Sequence, residues 1–116
     1  MRRDWISALA ALTCAASVAL AAYASHAALP GQASRLGLAA AFAFGHGLAL
    51  IGIAGRHSRI AVIAKALFLL GVSGFCGGLC FAAFMGTRAP TAPLGGSLLI
   101  LGWLVLAVDL WRTPRG

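Results

Sequence analysis

The chain has 116 residues, of which 61% are hydrophobic and 9% are charged, and its mean hydropathy is +0.95. Soluble domains are about half apolar and about one quarter charged. A chain this short cannot bury so much apolar surface in water. The composition therefore excludes an ordinary soluble domain and indicates an integral membrane protein. The net charge of +7 does not indicate a nucleic-acid partner, because the nine basic residues separate apolar runs and form no patch.

Four apolar segments are long enough to cross a bilayer, since about 20 helical residues span its hydrocarbon core and the backbone there must satisfy its own hydrogen bonds. The connecting sequences AALPGQASR, GRHSR and MGTRAPTA hold the proline, glycine and polar residues that the segments lack. We predict an all-α membrane protein, a single domain over residues 1–116, with four transmembrane helices in a compact antiparallel bundle embedded in the lipid bilayer. The predicted spans are residues 5–26, 36–54, 60–84 and 93–111.

The first segment also resembles a secretory signal peptide, with a basic start, an apolar run and small residues near a cleavage point. Its apolar stretch is long for a signal core, and cleavage would leave three spans. We interpret it as the first transmembrane helix, with cleavage as the alternative.

The basic residues predict that both termini are cytoplasmic, because cytoplasmic loops and ends are enriched in Lys and Arg. An even number of spans also places both termini on one side. In this orientation seven basic residues lie on the cytoplasmic side and two outside: Arg2, Arg3, Arg56, Arg59, Lys65, Arg112 and Arg115 against Arg35 and Arg88.

Small residues recur at helical spacing in every span, and in lipid such residues mark the faces where helices approach closely. We expect these faces to pack within the bundle, with a homo-oligomer or a membrane protein partner at one of them as the alternative. The glycines predicted to pack are Gly37 and Gly45 in the second span, Gly74 and Gly78 in the third, and Gly95, Gly96 and Gly102 in the fourth.

His46 lies near the middle of the second span, in FAFGHGLALIG, on a face that it shares with three alanines. A neutral imidazole has one donor and one acceptor, so we expect it to point inward and to find a polar partner. Ser73 of the third span is the first candidate, with Ser17 or Thr13 of the first span as alternatives. The site is either a structural hydrogen bond or a proton or ligand site, since an ionisable residue inside a membrane is a functional candidate.

No metal or cofactor site is predicted. His26 is at the outer end of its span and differs from His46 by about 15 Å in depth, at 1.5 Å of rise per residue, so the two cannot ligate one haem. Cys76 and Cys80 with His26 would supply only three ligands, which is a weak signal for a metal. The sequence also lacks a nucleophile, base and acid set, so we expect no enzymatic activity.

Two charges lie inside the spans near the predicted cytoplasmic edge, Lys65 in the third and Asp109 in the fourth. A lone charge within a span is costly, so we predict that they form an ion pair. Arg56 or Arg59 is the alternative partner of Asp109, and separate hydration, with Lys65 extending to the interface, is the remaining possibility.

Short motifs follow one another along nearly the whole chain: AAYASH at the end of the first span, HGLAL from His46 to Leu50, FCGGLC in the third span, and APLGG followed by GW in the fourth. In this order and spacing they resemble the YgdD-like family of small bacterial inner-membrane proteins, a domain-of-unknown-function family. Cys76, Gly78 and Cys80 depart from the serines and tyrosine of the family pattern. The resemblance implies a multi-pass protein of the bacterial inner (plasma) membrane and transfers no activity.

Two functions fit these observations. The first is a small structural or partner-interacting membrane protein without enzymatic activity. The second is a subunit of an oligomeric transporter or channel that uses His46, because four helices are too few to enclose a pathway alone.

Overall fold

In the computed structural model, which describes residues 4–88 and 90–112, the chain forms four helices. Each is long and apolar enough to cross a membrane, which confirms the number and class of the predicted elements. Arg2, Arg3 and Arg115, used above to predict orientation, lie outside the described residues. The helices are α1 (Trp5–His26), α2 (Pro30–Ile53), α3 (Arg59–Met85) and α4 (Ala92–Arg112).

Local hydrogen bonds fix the ends of α1 and α3 close to the predicted limits. Asp4 caps α1 by accepting from the Ser7 amide at 3.0 Å, and the Ser58 hydroxyl caps α3 by accepting from the Ala61 amide at 3.0 Å. Helix α3 ends at Met85, and the next residue, Gly86, has a φ of 68°, in the left-handed region that favours glycine.

Helix α2 begins six residues earlier than predicted, at Pro30 instead of Leu36. Pro and Gly suggested a loop, but proline is well suited to the first turn of a helix. The Gln32 side chain then folds back to accept from the Leu29 amide at 3.2 Å, which satisfies a donor at the start of the helix.

The helices pack in chain order. Within the described residues, Cα atoms closer than 8 Å join α1 to α2, α2 to α3 and α3 to α4, and none joins α1 to α3 or α4. Helix α1 therefore lies at the edge of the bundle, where Ala10 and Ser17 are its buried residues. Helix α2 is the most enclosed of the four.

Three chain segments meet at one end of the molecule, which we call the α2–α3 end. The start of α1 and the connection between α2 and α3 line one cleft there, through Asp4, Gly55 and His57. Asp109, near the end of α4, bonds to Arg56 of the same connection. The beginning of α1 and the end of α4 thus lie on the same side of the bundle.

Glycines bring α3 and α4 into backbone contact. A methyl group on Gly95 would overlap the Phe75 amide nitrogen and would lie 2.7 Å from the Gly74 carbonyl carbon, a separation that no side chain tolerates. Gly78 faces Thr91 in the same way, and Gly102 faces the ring of Phe68. Four of the predicted packing glycines, Gly74, Gly78, Gly95 and Gly102, therefore lie in this interface, and Gly96 contacts it through the ring of Phe75.

The prediction that Gly37 and Gly45 pack within the bundle is wrong. A methyl group on either would meet no atom within 4 Å. The glycine of α2 that contacts α1 is Gly47, where a methyl group would lie 3.0 Å from the Ala10 carbonyl oxygen. Small residues occur around much of α2, so their spacing did not indicate which of them face the core.

The contact at Gly95 predicts a large difference between two glycine substitutions. Gly95→Ala should lower the free energy of unfolding by about 1–3 kcal/mol, because the methyl group overpacks the α3–α4 interface. Gly77→Ala in α3 is the matched control, since a methyl group there has no neighbour within 4 Å. Thermal unfolding in detergent measures both; equal effects would contradict the interface.

Candidate functional site

The imidazole of His46 is buried, 6% exposed, and both of its nitrogens have partners in the same chain. Nδ1 lies 2.7 Å from the Phe42 carbonyl oxygen, one helical turn earlier. Nε2 accepts a hydrogen bond from the indole Nε1–H of Trp103 on α4 at 3.0 Å. The residue therefore links α2 to α4 across the face of α3.

The chemistry of the two partners assigns the tautomer of His46. An indole nitrogen only donates and a carbonyl oxygen only accepts. Nε2 must therefore be the acceptor and Nδ1 must hold the proton. This neutral imidazole uses its one donor and its one acceptor on groups of its own chain.

Aromatic rings enclose the pair. The ring centroid of His46 lies 5.5 Å from that of Phe68 and 5.9 Å from that of Phe42, and the rings of Phe68 and Trp103 are 4.9 Å apart. Phe68 is fully buried, while Trp103 is 46% exposed and forms the outer wall of the cluster. We call His46, Trp103, Phe42 and Phe68 the aromatic cluster.

The predicted partners of His46 are wrong. The hydroxyl of Ser73 donates to the Leu69 carbonyl at 2.8 Å, and those of Ser17 and Thr13 likewise donate to the carbonyls four residues before them. Hydroxyl side chains inside helices commonly form this bond, which uses their single O–H donor within their own helix. His26, the last residue of α1, is exposed and takes no part in the cluster.

Trp103 is the residue that the sequence reasoning missed. Its position in the middle of the fourth span indicates a need for a hydrogen-bond acceptor, because the indole N–H of a Trp within the hydrocarbon requires one. His46 lies at a similar depth in the second span. Pairing the mid-span donor with the mid-span imidazole would have identified the contact.

A second polar cluster lies at the α2–α3 end and includes both charges that the sequence analysis singled out. The Asp109 carboxylate is buried and accepts from Arg56 Nε at 2.7 Å and from the Ser58 hydroxyl. Asp109 is therefore paired with Arg56, the alternative partner, and the predicted ion pair between Lys65 and Asp109 is wrong.

Lys65 is also buried, but its ammonium group turns toward the end of α2. It donates to the Ala54 carbonyl at 3.1 Å and to the Arg56 carbonyl at 2.6 Å. The Ala54 carbonyl is at the C-cap of α2, where carbonyls lack partners within the helix and carry its negative dipole end. Together with the Arg56 carbonyl of the connection, it holds a cation that would otherwise be costly inside the span.

The described residues contain no group of three His, Cys, Asp or Glu side chains that would hold a metal ion. Cys14, Cys76 and Cys80 are free thiols. Within the part of the chain that the structure describes, the buried polar side-chain atoms all have hydrogen-bond partners. These hydrogen bonds hold the polar side chains of the described residues in place and stabilise the helices.

The hydrogen bond between α2 and α4 predicts a specific cost for its removal. Trp103→Phe should lower the free energy of unfolding by about 1–3 kcal/mol, because Nε2 of His46 loses its donor in an apolar environment. Trp111→Phe on the same helix is the matched control, since Trp111 is 89% exposed. In a His46→Leu background the Trp103 substitution should cost less; equal costs in both backgrounds, measured by thermal unfolding in detergent, would contradict the bond.

Comparison with known proteins places these features in a family. A family model described as "Protein of unknown function (DUF423)" matches residues 20–96, and no solved structure matches the chain. The matched region includes His46 and Lys65, while Trp103 and Asp109 lie beyond it. The match covers more than half of the chain and agrees with the family resemblance of its motifs. The chain belongs to the DUF423 family, whose function is unknown.

Proposed function

We propose that the chain is a multi-pass protein of the bacterial inner membrane that acts by associating with other membrane proteins and catalyses no reaction. The observation that supports this proposal is the internal pairing of its intramembrane polar groups. His46 uses both ring nitrogens on Phe42 and Trp103, and Lys65 is bound to carbonyls at the end of α2. Such groups hold helices together.

The alternative, a transporter or channel subunit that uses His46, needs an imidazole that exchanges protons or ligands. A second proton on Nε2 would face the N–H of Trp103, so two donors would oppose each other. Transport through His46 would therefore require Trp103 to move away first. This geometry favours the structural role of His46.

We also propose that the α2–α3 end faces the cytoplasm. Arg56, Arg59 and Lys65 belong to this end, together with Arg112 at the end of α4. Arg35 and Arg88 belong to the opposite end, where Arg35 donates to carbonyls near the end of α3. The excess of basic residues at one end supports this orientation.

Labelling of single cysteines tests the orientation. In a chain whose native cysteines are replaced by serine, a cysteine at Thr87 should react with a membrane-impermeant maleimide added to intact cells. A cysteine at Thr113 should react only after the inner membrane is permeabilised. The reverse pattern would contradict the orientation, and labelling of both positions from outside would contradict α4 as a membrane span.

Crosslinking in native membranes tests the proposed function. A second copy of the chain is the first partner to examine, because Ala41 and Gly45 are exposed on α2 and small residues allow close helix approach. A cysteine at Ala41 should form a disulfide-linked species under mild oxidation. A cysteine at Leu104, exposed near the middle of α4, is the control and should not.

A different result would support the transporter alternative. No crosslink to any membrane protein from either position, together with a proton flux in reconstituted vesicles that His46→Gln abolishes, would contradict association as the function. That result would identify the chain as a transporter subunit.

A further inference from the structure

A cleft of about 720 Å³ opens at the α2–α3 end. One wall is the first turn of α1, the other is the first three turns of α3, and the connection after α2 closes its end. The cleft exists because α1 packs on α2 and no Cα atom of its described residues comes within 8 Å of α3. Its volume is in the range of sites that hold small molecules.

The end of the cleft has charges of both signs. Lys65 lines it, and its ammonium carries three N–H groups, of which the described residues accept two, through the carbonyls of Ala54 and Arg56. The ring of His57, which is exposed, also lines the cleft. Asp4 lies at the same rim.

Asp4 is an anion in this setting. Hydrogen bonds from the hydroxyl and amide of Ser7, followed by the nearby positive charges of Lys65 and His57, outweigh partial desolvation and hold the pKa of its carboxyl below the ordinary value. The rim therefore offers a carboxylate beside an ammonium group and an imidazole.

The sides of the cleft are apolar and continue into the membrane-spanning part of the bundle. Ile6 of α1 lines the cleft together with Val62, Ala66 and Leu69 of α3. Trp5, 64% exposed, stands at the mouth, where amphipathic aromatic rings mark the boundary between headgroups and acyl chains. The charged rim is thus at headgroup depth and the apolar sides are at acyl-chain depth.

We propose that this cleft binds one phosphatidylethanolamine molecule. The ammonium of the headgroup pairs with Asp4, the phosphate pairs with Lys65 and His57, and one acyl chain lies along Ile6, Val62, Ala66 and Leu69. Opposite charges at the rim match a headgroup that has both a cation and an anion. Apolar sides of this depth require a ligand with a long hydrocarbon chain, which a free phosphate lacks.

The two charges also distinguish phosphatidylethanolamine from other phospholipids. Phosphatidylglycerol has the phosphate but no cation for Asp4, so the carboxylate would repel it. Phosphatidylcholine has a cation without N–H groups, which cannot donate a hydrogen bond to a carboxylate. Binding should therefore follow the order ethanolamine, choline, glycerol.

Native mass spectrometry of the full chain, purified in detergent and delipidated, tests this order with each of the three lipids added separately. The wild type should retain one phosphatidylethanolamine. Asp4→Asn should reduce its retention roughly fivefold, the effect of a partly exposed charge pair, and should remove the preference over phosphatidylglycerol. Asparagine still caps a helix, so α1 keeps its start, and thermal unfolding checks that the variant is folded.

A second pair of variants tests the apolar sides without touching a charge. Ala66→Phe fills the cleft and should reduce the retention of phosphatidylethanolamine. Leu70→Phe, on an exposed face of the same helix, should leave it unchanged. The proposal is overturned if the wild type retains phosphatidylglycerol best, which indicates a basic patch, or if all three lipids are retained equally. Equal retention by the Ala66 and Leu70 variants would also overturn it. These outcomes do not bear on crosslinking at Ala41, so the two proposals fail separately.

Discussion

The close approach of α3 and α4 at glycine is the constraint on which the other contacts of α4 depend. The backbone of α4 at Gly95 lies so near Gly74 and Phe75 that any side chain would separate the helices. Farther along, Gly102 rests on the ring of Phe68. This placement lets Trp103 reach His46 on α2 at 3.0 Å and lets Asp109 reach Arg56 at 2.7 Å. Hydrogen bonds weaken quickly beyond such distances, so the bond to α2 and the bond to the connection after it both need the glycine contact.

The bonds across the bundle serve specificity more than bulk stability. Lipid solvates apolar side chains as well as neighbouring helices do, so burial alone does not select one arrangement of four apolar helices. A polar group in hydrocarbon is different, because it destabilises the protein unless it forms a hydrogen bond with a partner. Two bonds at different depths therefore fix the position of α4: Trp103 is held by His46 of α2, and Asp109 is held by Arg56 of the connection after α2. Helix α1 lacks a comparable charged link to α4 in the described residues, and it lies at the edge.

The sequence predicted the four helices well because their signal is physical and strong. Long apolar segments must form helices in a bilayer, and the ends of α1, α3 and α4 follow from composition to within about one residue. Helix α2 was predicted too short because proline was interpreted as a break when it occupies a first turn.

The site was predicted in part: burial of His46 follows from its alanine-rich face, but its partner does not. Ser73 was a candidate only because of its depth in the third span. In the structure the Ser73 hydroxyl bonds to the backbone of its own helix. The rotation of α4 turns Trp103 toward the imidazole. The rotation of α3 and α4 about their axes also explains why Asp109 pairs with the Arg56 side chain and does not pair with Lys65.

The imidazole of His46 is held inside the bundle by its own chain in one tautomer. Nitrogen-15 NMR of the histidine-labelled protein in nanodiscs, at a pH where free histidine is neutral, measures this directly, with a His46→Gln sample to assign the signal. We expect a protonated Nδ1 and an unprotonated, hydrogen-bonded Nε2 for His46, with the Nε2 shift changing in Trp103→Phe. A proton on Nε2, or an Nε2 shift that is insensitive to Trp103, would contradict the bond between the two side chains.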